Sequence, residues 1–168
     1  SSGWAKATST NHEDIRPVDL ARSAARKAKL SAGAKPLQPG AYTVVLEPSA
    51  VLDLVGQIFG DFSGTAVADQ RSFLTDRVGE KLFGENITIY DDCRFPLQNG
   101  AAFDGEGVPR QTLTLARKGV IQQIAYSRQT ARRTGVEPTG HAYPLPSEVG
   151  EAPTNIVIAG GKSSLEDL

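Results

Sequence analysis

The pair Lys118-Gly119 is the feature that most constrains how this chain folds, because it separates two strand-like runs, residues 112–117 and 120–127. Two such runs joined by a compact turn signal favour a β-hairpin. The runs NITIY (86–90) and NIVIA (155–159) alternate in the same way. The half of the chain after residue 85 is therefore predicted to be β-dominated, with an antiparallel or mixed sheet.

The first half has the spacing of helices. Residues 17–31 are alanine-rich and begin with Pro17, a residue suited to the first turn of a helix. In SAVLDLVGQIFGDFSG (49–64), Ser49 is a candidate N-cap, and a helix over 51–59 is expected to pack on the sheet. The fold class is predicted to be α+β with a few packed helices. The sequence further predicts strands at 4–8 and 42–46, a helix at 73–83 ending at Gly84, and a short helix at 129–134 ending at Gly135.

Proline and glycine in residues 33–40 form a linker. We therefore predict an N-terminal segment, residues 1–40, that holds the alanine-rich helix, and a β-rich C-terminal domain, residues 41–168. The 168-residue chain begins with serine and contains no methionine, which favours an internal or trimmed piece of a longer protein.

Charge and cysteine content narrow the function classes. The 18 Lys and Arg oppose 19 Asp and Glu, so the net charge of -1 gives no bulk reason to bind nucleic acid or an anionic membrane. The single cysteine excludes a disulfide framework and four-cysteine zinc sites, and it fits a reducing compartment. Neither an apolar run of membrane-spanning length nor a signal-peptide pattern is present, so a cytoplasmic location without a membrane partner is expected.

The helix predicted at 51–59 contains or adjoins residues that a buried helix does not favour. Gly56 and Gly60 each cost about 1 kcal/mol relative to alanine in a helix interior. Asp61 would need a partner if it were buried. Either the helix ends early, or these positions have held groups with a chemical role.

Six segments together carry a family resemblance. They are PGAYTVVLEPSAV (39–51), SFLTDRVGEKLF (72–83), ITIYDD (87–92), FDGEGVPRQTLTL (103–115), GVIQQIAYSRQTARRTG (119–135) and PTGHA (138–142). Their order and spacing over about residues 3–160 resemble the TldD/PmbA family, whose members are also named modulators of DNA gyrase. The resemblance implies a zinc-dependent, cytoplasmic peptidase (a hydrolase) made of two related subunits, which matures or degrades unfolded peptides. Family members are longer at both ends, so the resemblance implies that the C-terminal domain is incomplete in this chain.

In the catalytic TldD branch, the helix after the strand and proline turn carries HExxxH, in which two histidines bind zinc and the glutamate activates water. Counted from Pro48, these positions fall on Gly56, Gln57 and Asp61. Glycine cannot bind a metal, glutamine cannot accept the proton, and one aspartate is a poor zinc site. The chain therefore resembles the PmbA/TldE branch: we expect no metal ligands or catalytic residues here, and zinc in a TldD-type partner. Ligands five residues apart also require a distorted helix, which Gly60 would suit.

Other residues have both a binding and a structural interpretation. Asp104 and Glu106, in the DGEG loop, are candidates for binding a cation or a peptide amine, or they form a turn before a strand. His141, in TGHA, is a third candidate peptide-binding residue or a hydrogen-bonded loop histidine. Cys93 follows two aspartates whose field disfavours the thiolate, and His12 lacks a second ligand at a suitable spacing, so neither is expected to be functional.

Three functions remain open. The first is a non-catalytic PmbA/TldE-type subunit that pairs with a TldD-type catalytic subunit as a heteromer, or with itself as a homodimer, and holds an unfolded or precursor peptide, for example by strand addition. The second is a self-sufficient peptidase with a different catalytic centre. The third is a regulatory protein that modulates DNA gyrase, which the charge balance supports little.

Overall fold

The computed structural model describes residues 1–98 and 100–163. Within these residues it contains a four-stranded antiparallel sheet of order β3-β2-β1-β4 and four α-helices, so the predicted α+β class is confirmed. The chain divides into two compact units, Ser1–Val44 and a second that begins at Val45. The domain limits 1–40 and 41–168 stay a prediction.

The elements are α1 (Pro17–Leu30), α2 (Pro48–Val55), α3 (Gly64–Ala68), β1 (Ile89–Asp91), β2 (Leu113–Arg117), β3 (Val120–Ile121), α4 (Arg128–Thr134) and β4 (Ile156–Ile158), with 3₁₀ turns at His12–Asp14 and Gly56–Phe62.

The first unit is built on α1, which confirms the predicted alanine-rich helix. Pro17 occupies its first turn, and the basic Lys27 and Lys29 lie in its last turn, where they complement the helix dipole. A side chain at Gly3 would overlap the Ala24 carbonyl oxygen, so the N-terminal segment approaches the helix closely. The predicted strand at 4–8 is wrong, because this segment begins against a helix that offers it no strand to pair with.

The hairpin between β2 and β3 is confirmed. Lys118 and Gly119 both have positive φ, 48° and 81°, as a tight two-residue hairpin turn requires. The second strand is shorter than predicted and ends at Ile121. Beyond it, the Gln123 side-chain oxygen accepts the Thr114 N–H at 2.7 Å, so a side chain takes the place of a backbone partner there.

The two remaining strands are β1, which lies inside the sheet, and β4, which lies at its edge. β1 pairs with both β2 and β4, and β4 confirms the strand predicted at 155–159.

The helix predicted at 73–83 is wrong. Asp76 and Gly79 have positive φ, which breaks the helix, and the segment instead covers the outer edge of β3. There the Gly79 N–H donates to Ile121 O and the Ile121 N–H donates to Glu80 O, each at 2.9 Å.

The helix predicted at 51–59 is correct only in part. α2 ends at Val55, and residues Gly56–Phe62 form a 3₁₀ helix, the kind of irregularity that Gly60 was expected to suit. No residue of α2 is buried. Phe59 and Phe62 of the 3₁₀ helix pack against the sheet instead, in a core that also contains Leu74, Leu113, Leu115, Ile121 and Ile124.

The strand predicted at 42–46 is also wrong, because these residues pair with no strand among the described residues. The short helix predicted at 129–134 is confirmed as α4. Ser127 caps its start by accepting the Thr130 N–H, and Gly135, with φ 75°, ends it.

None of the helices formed by residues 1–98 and 100–163 has the length and apolarity needed to cross a membrane.

Candidate functional site

The three positions that resemble a degenerate metal motif lie on the 3₁₀ helix. Gln57 is exposed and Asp61 is half-buried, with its backbone carbonyl accepting a hydrogen bond from Ser72 Oγ at 2.8 Å. A Cβ atom added at Gly56 would meet nothing within 4 Å, so the site has room for a side chain that the chain does not supply. Among residues 1–98 and 100–163, no group of three or more His, Cys, Asp or Glu could hold a metal ion. With one carboxylate as the sole zinc-type donor, the three positions do not fit a zinc ion.

Asp104 is fully engaged within its own protein. One of its carboxylate oxygens accepts the N–H groups of Glu106 and Val108, both at 2.9 Å. The other accepts the Ala142 N–H at 2.9 Å. This carboxylate therefore closes the DGEG loop and attaches it to the segment that contains His141, which brings two of the three candidate peptide-binding residues together.

Glu106 accepts the Arg128 N–H at 2.8 Å, at the first residue of α4. A carboxylate at a helix N-terminus is stabilised by unpaired N–H groups and by the helix dipole. The half-buried Glu106 thus links the DGEG loop to α4. Asp104 and Glu106 therefore both have hydrogen-bond partners inside the chain.

His141 is buried in a cluster centred on Asp91, which we call the Asp91 cluster. His141 Nε2 lies 3.1 Å from Asp91 Oδ1, and its Nδ1 lies 2.9 Å from Thr139 O. Arg110 also donates to Asp91 Oδ1 at 3.1 Å, and the N–H groups of Thr154 and Asn155 donate to Asp91 Oδ2 at 2.7 and 2.6 Å. The cluster consists of Asp91, Arg110, Thr139, His141, Thr154 and Asn155.

The environment of Asp91 favours its charged form. Burial alone would raise the pKa of this carboxyl group, but the hydrogen bonds from His141 and the Asn155 N–H, with the charges of His141 and Arg110, hold the pKa below its ordinary value. The Asp91 and His141 side chains are fully buried. The imidazole of His141 is therefore not accessible from the surface.

A second buried carboxylate, Glu151, was not anticipated from the sequence. It accepts from Ser63 Oγ and Thr65 N at 3.0 and 2.6 Å, and from Ser127 N and Thr130 Oγ1 at 3.2 and 3.1 Å. These donors belong to the N-terminal ends of α3 and α4. The serine N-cap before each short helix is the sequence signal that could have indicated an acceptor there.

The burial of Tyr126 and the negative charge of Glu151 both raise the pKa of the Tyr126 hydroxyl.

Asp91 was noticed in the sequence only as a neighbour of Cys93. Its position at the end of a predicted strand was a weak signal for a buried role.

Within residues 1–98 and 100–163, no strand pairs with the outer edge of β4, in contrast to that of β3, which residues 79–82 cover. The Ala159 N–H donates to Thr88 O, and the Asp92 N–H donates to Asn155 O, so in an antiparallel ladder the backbone groups of Ile156 and Ile158 point away from β1. Gln98 Nε2 donates to Ile156 O at 2.9 Å. An apolar groove of about 360 Å³ runs beside this edge. This β4 groove is lined by Leu46, Pro48, Val51, Leu52, Ile156, Ile158, Ala159 and Gly160.

Comparison with known proteins gives consistent matches. Residues 39–168 match the family model of the PmbA/TldA metallopeptidase C-terminal domain. A relative from Haemophilus influenzae named metalloprotease TldD homolog is 31% identical over 92% of this chain, which spans 33% of that relative.

Two solved structures share the fold. A Thermotoga maritima protein named as a modulator of a DNA gyrase superposes with a TM-score of 0.86 and 29% identity over 95% of this chain, and 36% of that chain is covered. TldE from Thermococcus kodakarensis superposes with a TM-score of 0.59 and 31% identity over 67% of this chain and 27% of that chain. The chain thus spans about a third of the length of the relatives it matches.

Proposed function

Because this chain belongs to the PmbA/TldD metallopeptidase family, as its sequence motifs indicated, we propose that it is part of a non-catalytic subunit of a TldD/TldE-type peptidase. The observation that carries the proposal is the 3₁₀ helix Gly56–Phe62, which presents a glycine, a glutamine and an aspartate where zinc hydrolysis needs two imidazoles and a carboxylate base. The zinc and its activated water then reside in a related, HExxxH-bearing partner.

The similarity to a protein named TldE and to one named as a TldD homolog supports pairing with a TldD-type subunit. In such a pair, two related subunits would meet about a pseudo-twofold axis. A permanent interface of this kind buries roughly 2,000 Å² or more. A homodimer is the alternative assembly. A cytoplasmic location is part of the proposal and is supported by the single cysteine.

The subunit's contribution to proteolysis would be to hold an unfolded or precursor peptide. The open β4 edge supports this role, because an extended peptide can add to an unpaired strand through main-chain hydrogen bonds while its side chains enter a neighbouring groove. Asp104, Glu106 and His141 would act indirectly, by fixing the loops that surround the Asp91 cluster.

The decisive experiment combines the complete protein with a homologue that carries HExxxH. We expect peptide cleavage only when both proteins are present, and we expect it to disappear when a histidine of the partner's motif is replaced by alanine. Gln57→Ala and Asp61→Ala should leave cleavage largely intact, because neither residue is placed to bind zinc. Full activity of the complete protein alone, abolished by Gln57→Ala, would show instead a self-sufficient peptidase.

Metal analysis is an independent test. We expect elemental analysis of the chain, purified without chelator, to find far less than one zinc per chain, since the three motif positions offer one carboxylate. The matched control is the HExxxH partner prepared in the same way, which should contain zinc. Close to one zinc per chain, lost on Asp61→Ala or His141→Ala, would place a metal site in this subunit and contradict the proposal.

A further inference from the structure

A small polar pocket of about 150 Å³ is formed by residues of α3, α4 and the loop 147–150. We call it the α4 pocket, and its lining includes Thr65, Thr130, Arg133, Glu148 and Gly150. Within the described part of the chain, every lining residue is charged, carries a hydroxyl or amide group, or is glycine. The α4 pocket shares no residue with the β4 groove. Its size and polarity suit one small polar group of a ligand.

Glu151 sets the direction of the hydroxyl groups at this pocket. One oxygen of its buried carboxylate accepts the Thr65 N–H at 2.6 Å, and the other accepts the Ser127 N–H at 3.2 Å. Because a carboxylate only accepts, the single hydroxyl proton of Thr130 is donated to Glu151, at 3.1 Å. Thr65 Oγ1 lies 2.8 Å from Thr130 Oγ1, which has no second proton to give. Thr65 therefore donates its own proton to Thr130, and the lone pairs of Thr65 Oγ1 remain as acceptors.

Gly150 leaves this acceptor oxygen uncovered. A Cβ atom added at Gly150 would come within 2.9 Å of Thr65 Oγ1, and both residues line the pocket. The absent side chain thus leaves space beside the oxygen. A ligand group that fills this space satisfies the oxygen only if it brings a hydrogen-bond donor.

The charges at the pocket also favour a cation. Arg133 donates to Asp69 at 2.7 Å, and Asp69 pairs with Arg71 as well, at 3.3 Å. Glu148 is exposed, and no hydrogen bond or ion pair engages its carboxylate among residues 1–98 and 100–163. Glu151 adds a buried negative charge. Two arginines therefore stand against three carboxylates, which leaves the surroundings of the pocket with a net negative charge.

We propose that the α4 pocket binds a primary ammonium group, namely the N-terminal α-ammonium of a peptide. The ammonium would donate to Thr65 Oγ1, and Glu148 would supply negative charge at the rim. A lysine stem packs its methylene groups along apolar surface, which this lining does not provide, whereas the peptide group that follows an α-ammonium can hydrogen-bond to polar walls. This inference rests on the peptide-holding function proposed above and names its substrate class, peptides with a free N-terminus.

A carboxylate is the other small ion that could enter, since Arg133 lines the pocket. Arg133 already has a carboxylate partner in Asp69. An incoming anion would also meet the lone pairs of Thr65 Oγ1 and the charge of Glu148. A cation meets neither obstacle, so the ammonium is the better match.

The test is an NMR titration of the isotopically labelled 168-residue chain. The probe is trialanine amide, which carries one α-ammonium group and no carboxylate. We expect its addition to shift the backbone amide signals of residues that line the α4 pocket. N-acetyl-trialanine amide should bind at least about tenfold more weakly, because it lacks the charged donor. N-acetyl-lysine methylamide, with its ammonium on a side chain, should also bind more weakly than the free peptide.

Variants of the pocket give a second measurement. Glu148→Gln keeps the shape of the side chain and removes its charge, so it should raise the Kd for trialanine amide about threefold, a modest effect because the residue is exposed. Thr65→Val removes the acceptor oxygen and should raise the Kd about tenfold. Glu137→Gln, which removes an exposed carboxylate outside the pocket, is the matched control and should leave the Kd unchanged.

Four outcomes would overturn the proposal. They are an absence of shifts in the pocket, equal binding of the acetylated peptide, binding of the lysine probe as tight as that of the free peptide, and tighter binding of N-acetylalanine, a carboxylate without an ammonium. The comparison of free and acetylated peptides uses wild-type protein, so it decides the question even if Thr65→Val fails to fold. The titration contains no catalytic partner, so its failure is distinguishable from failure of the proposed peptidase role.

Discussion

Replacing Asp91 with asparagine tests whether the Asp91 cluster holds the second unit together. The carboxylate accepts four hydrogen bonds, two at each oxygen, from Arg110, His141 and the N–H groups of Thr154 and Asn155. Asparagine keeps one oxygen and replaces the other with an NH₂ group, so two donors lose their acceptor in either orientation. At about 1–3 kcal/mol for each buried unsatisfied group, the loss should be about 4 kcal/mol. That is a large fraction of the roughly 5–15 kcal/mol that stabilises a domain.

The assay is urea unfolding followed by circular dichroism at neutral pH. Asp92→Asn is the matched control, because the neighbouring Asp92 is half-buried and its hydrogen bonds come from Arg94 N and, at 3.4 Å, from Thr112 Oγ1. We expect the control to lose less than about 1 kcal/mol. Equal losses for the two variants would refute the reasoning, since they would show that the buried contacts of Asp91 contribute no more than those of a partly exposed neighbour.

The pH dependence of this difference gives an independent check. The pKa of Asp91 is lowered from its ordinary value of 3.8 in the folded protein, so its contribution to stability is fully present above that value. As the pH falls below 3.8, the unfolded carboxyl binds a proton first and the contribution is lost. The stability gap between wild type and Asp91→Asn should therefore be constant at neutral pH and should narrow in acid. A gap that widens in acid would contradict the direction of the shift.

Three further substitutions test the surroundings of individual residues. Glu151→Gln should lower the free energy of unfolding, measured by urea titration, by roughly 3 kcal/mol, because the amide NH₂ would face donors from α3 or α4. The matched control is Glu148→Gln, at an exposed residue of the same loop, which should leave the free energy of unfolding unchanged. Gly119→Ala should cost more than about 1 kcal/mol, since φ is 81° and the added Cβ would overlap Phe83 O. Gly56→Ala should be neutral or slightly stabilising by thermal unfolding, because φ is -56° and its Cβ would lie in open space.

The parts of the fold that were predicted correctly are those that local chemistry specifies. Lys118-Gly119 between two strand runs gives the hairpin, and Ser127 and Gly135 bound α4 through a cap at each end. Residues 73–83 and 42–46 were predicted incorrectly because their local patterns are consistent with elements that tertiary structure does not form. The first segment instead covers β3. The second pairs with no strand among the described residues, and strand propensity alone does not form a strand.

The site was less predictable than the fold because its contacts are distant in sequence. His141 was a candidate from its motif, but its partner Asp91 lies fifty residues earlier and Arg110 lies on a third segment. No periodicity connects positions that far apart. Asp104 was a candidate either for binding a cation or a peptide amine or for forming a turn, and three backbone N–H groups from two segments, which the sequence does not connect, surround its carboxylate.

The 3₁₀ helix explains how a metal motif can be absent while the fold around it remains. Its apolar residues, Phe59 and Phe62, are buried in the core, and their packing on the sheet stabilises the segment whatever occupies the neighbouring positions. Gln57 is exposed and Gly56 has open space beside it, so neither contributes to that packing. The packing of this short segment is thus carried by residues other than Gly56 and Gln57. Those two positions can therefore change without disturbing the core.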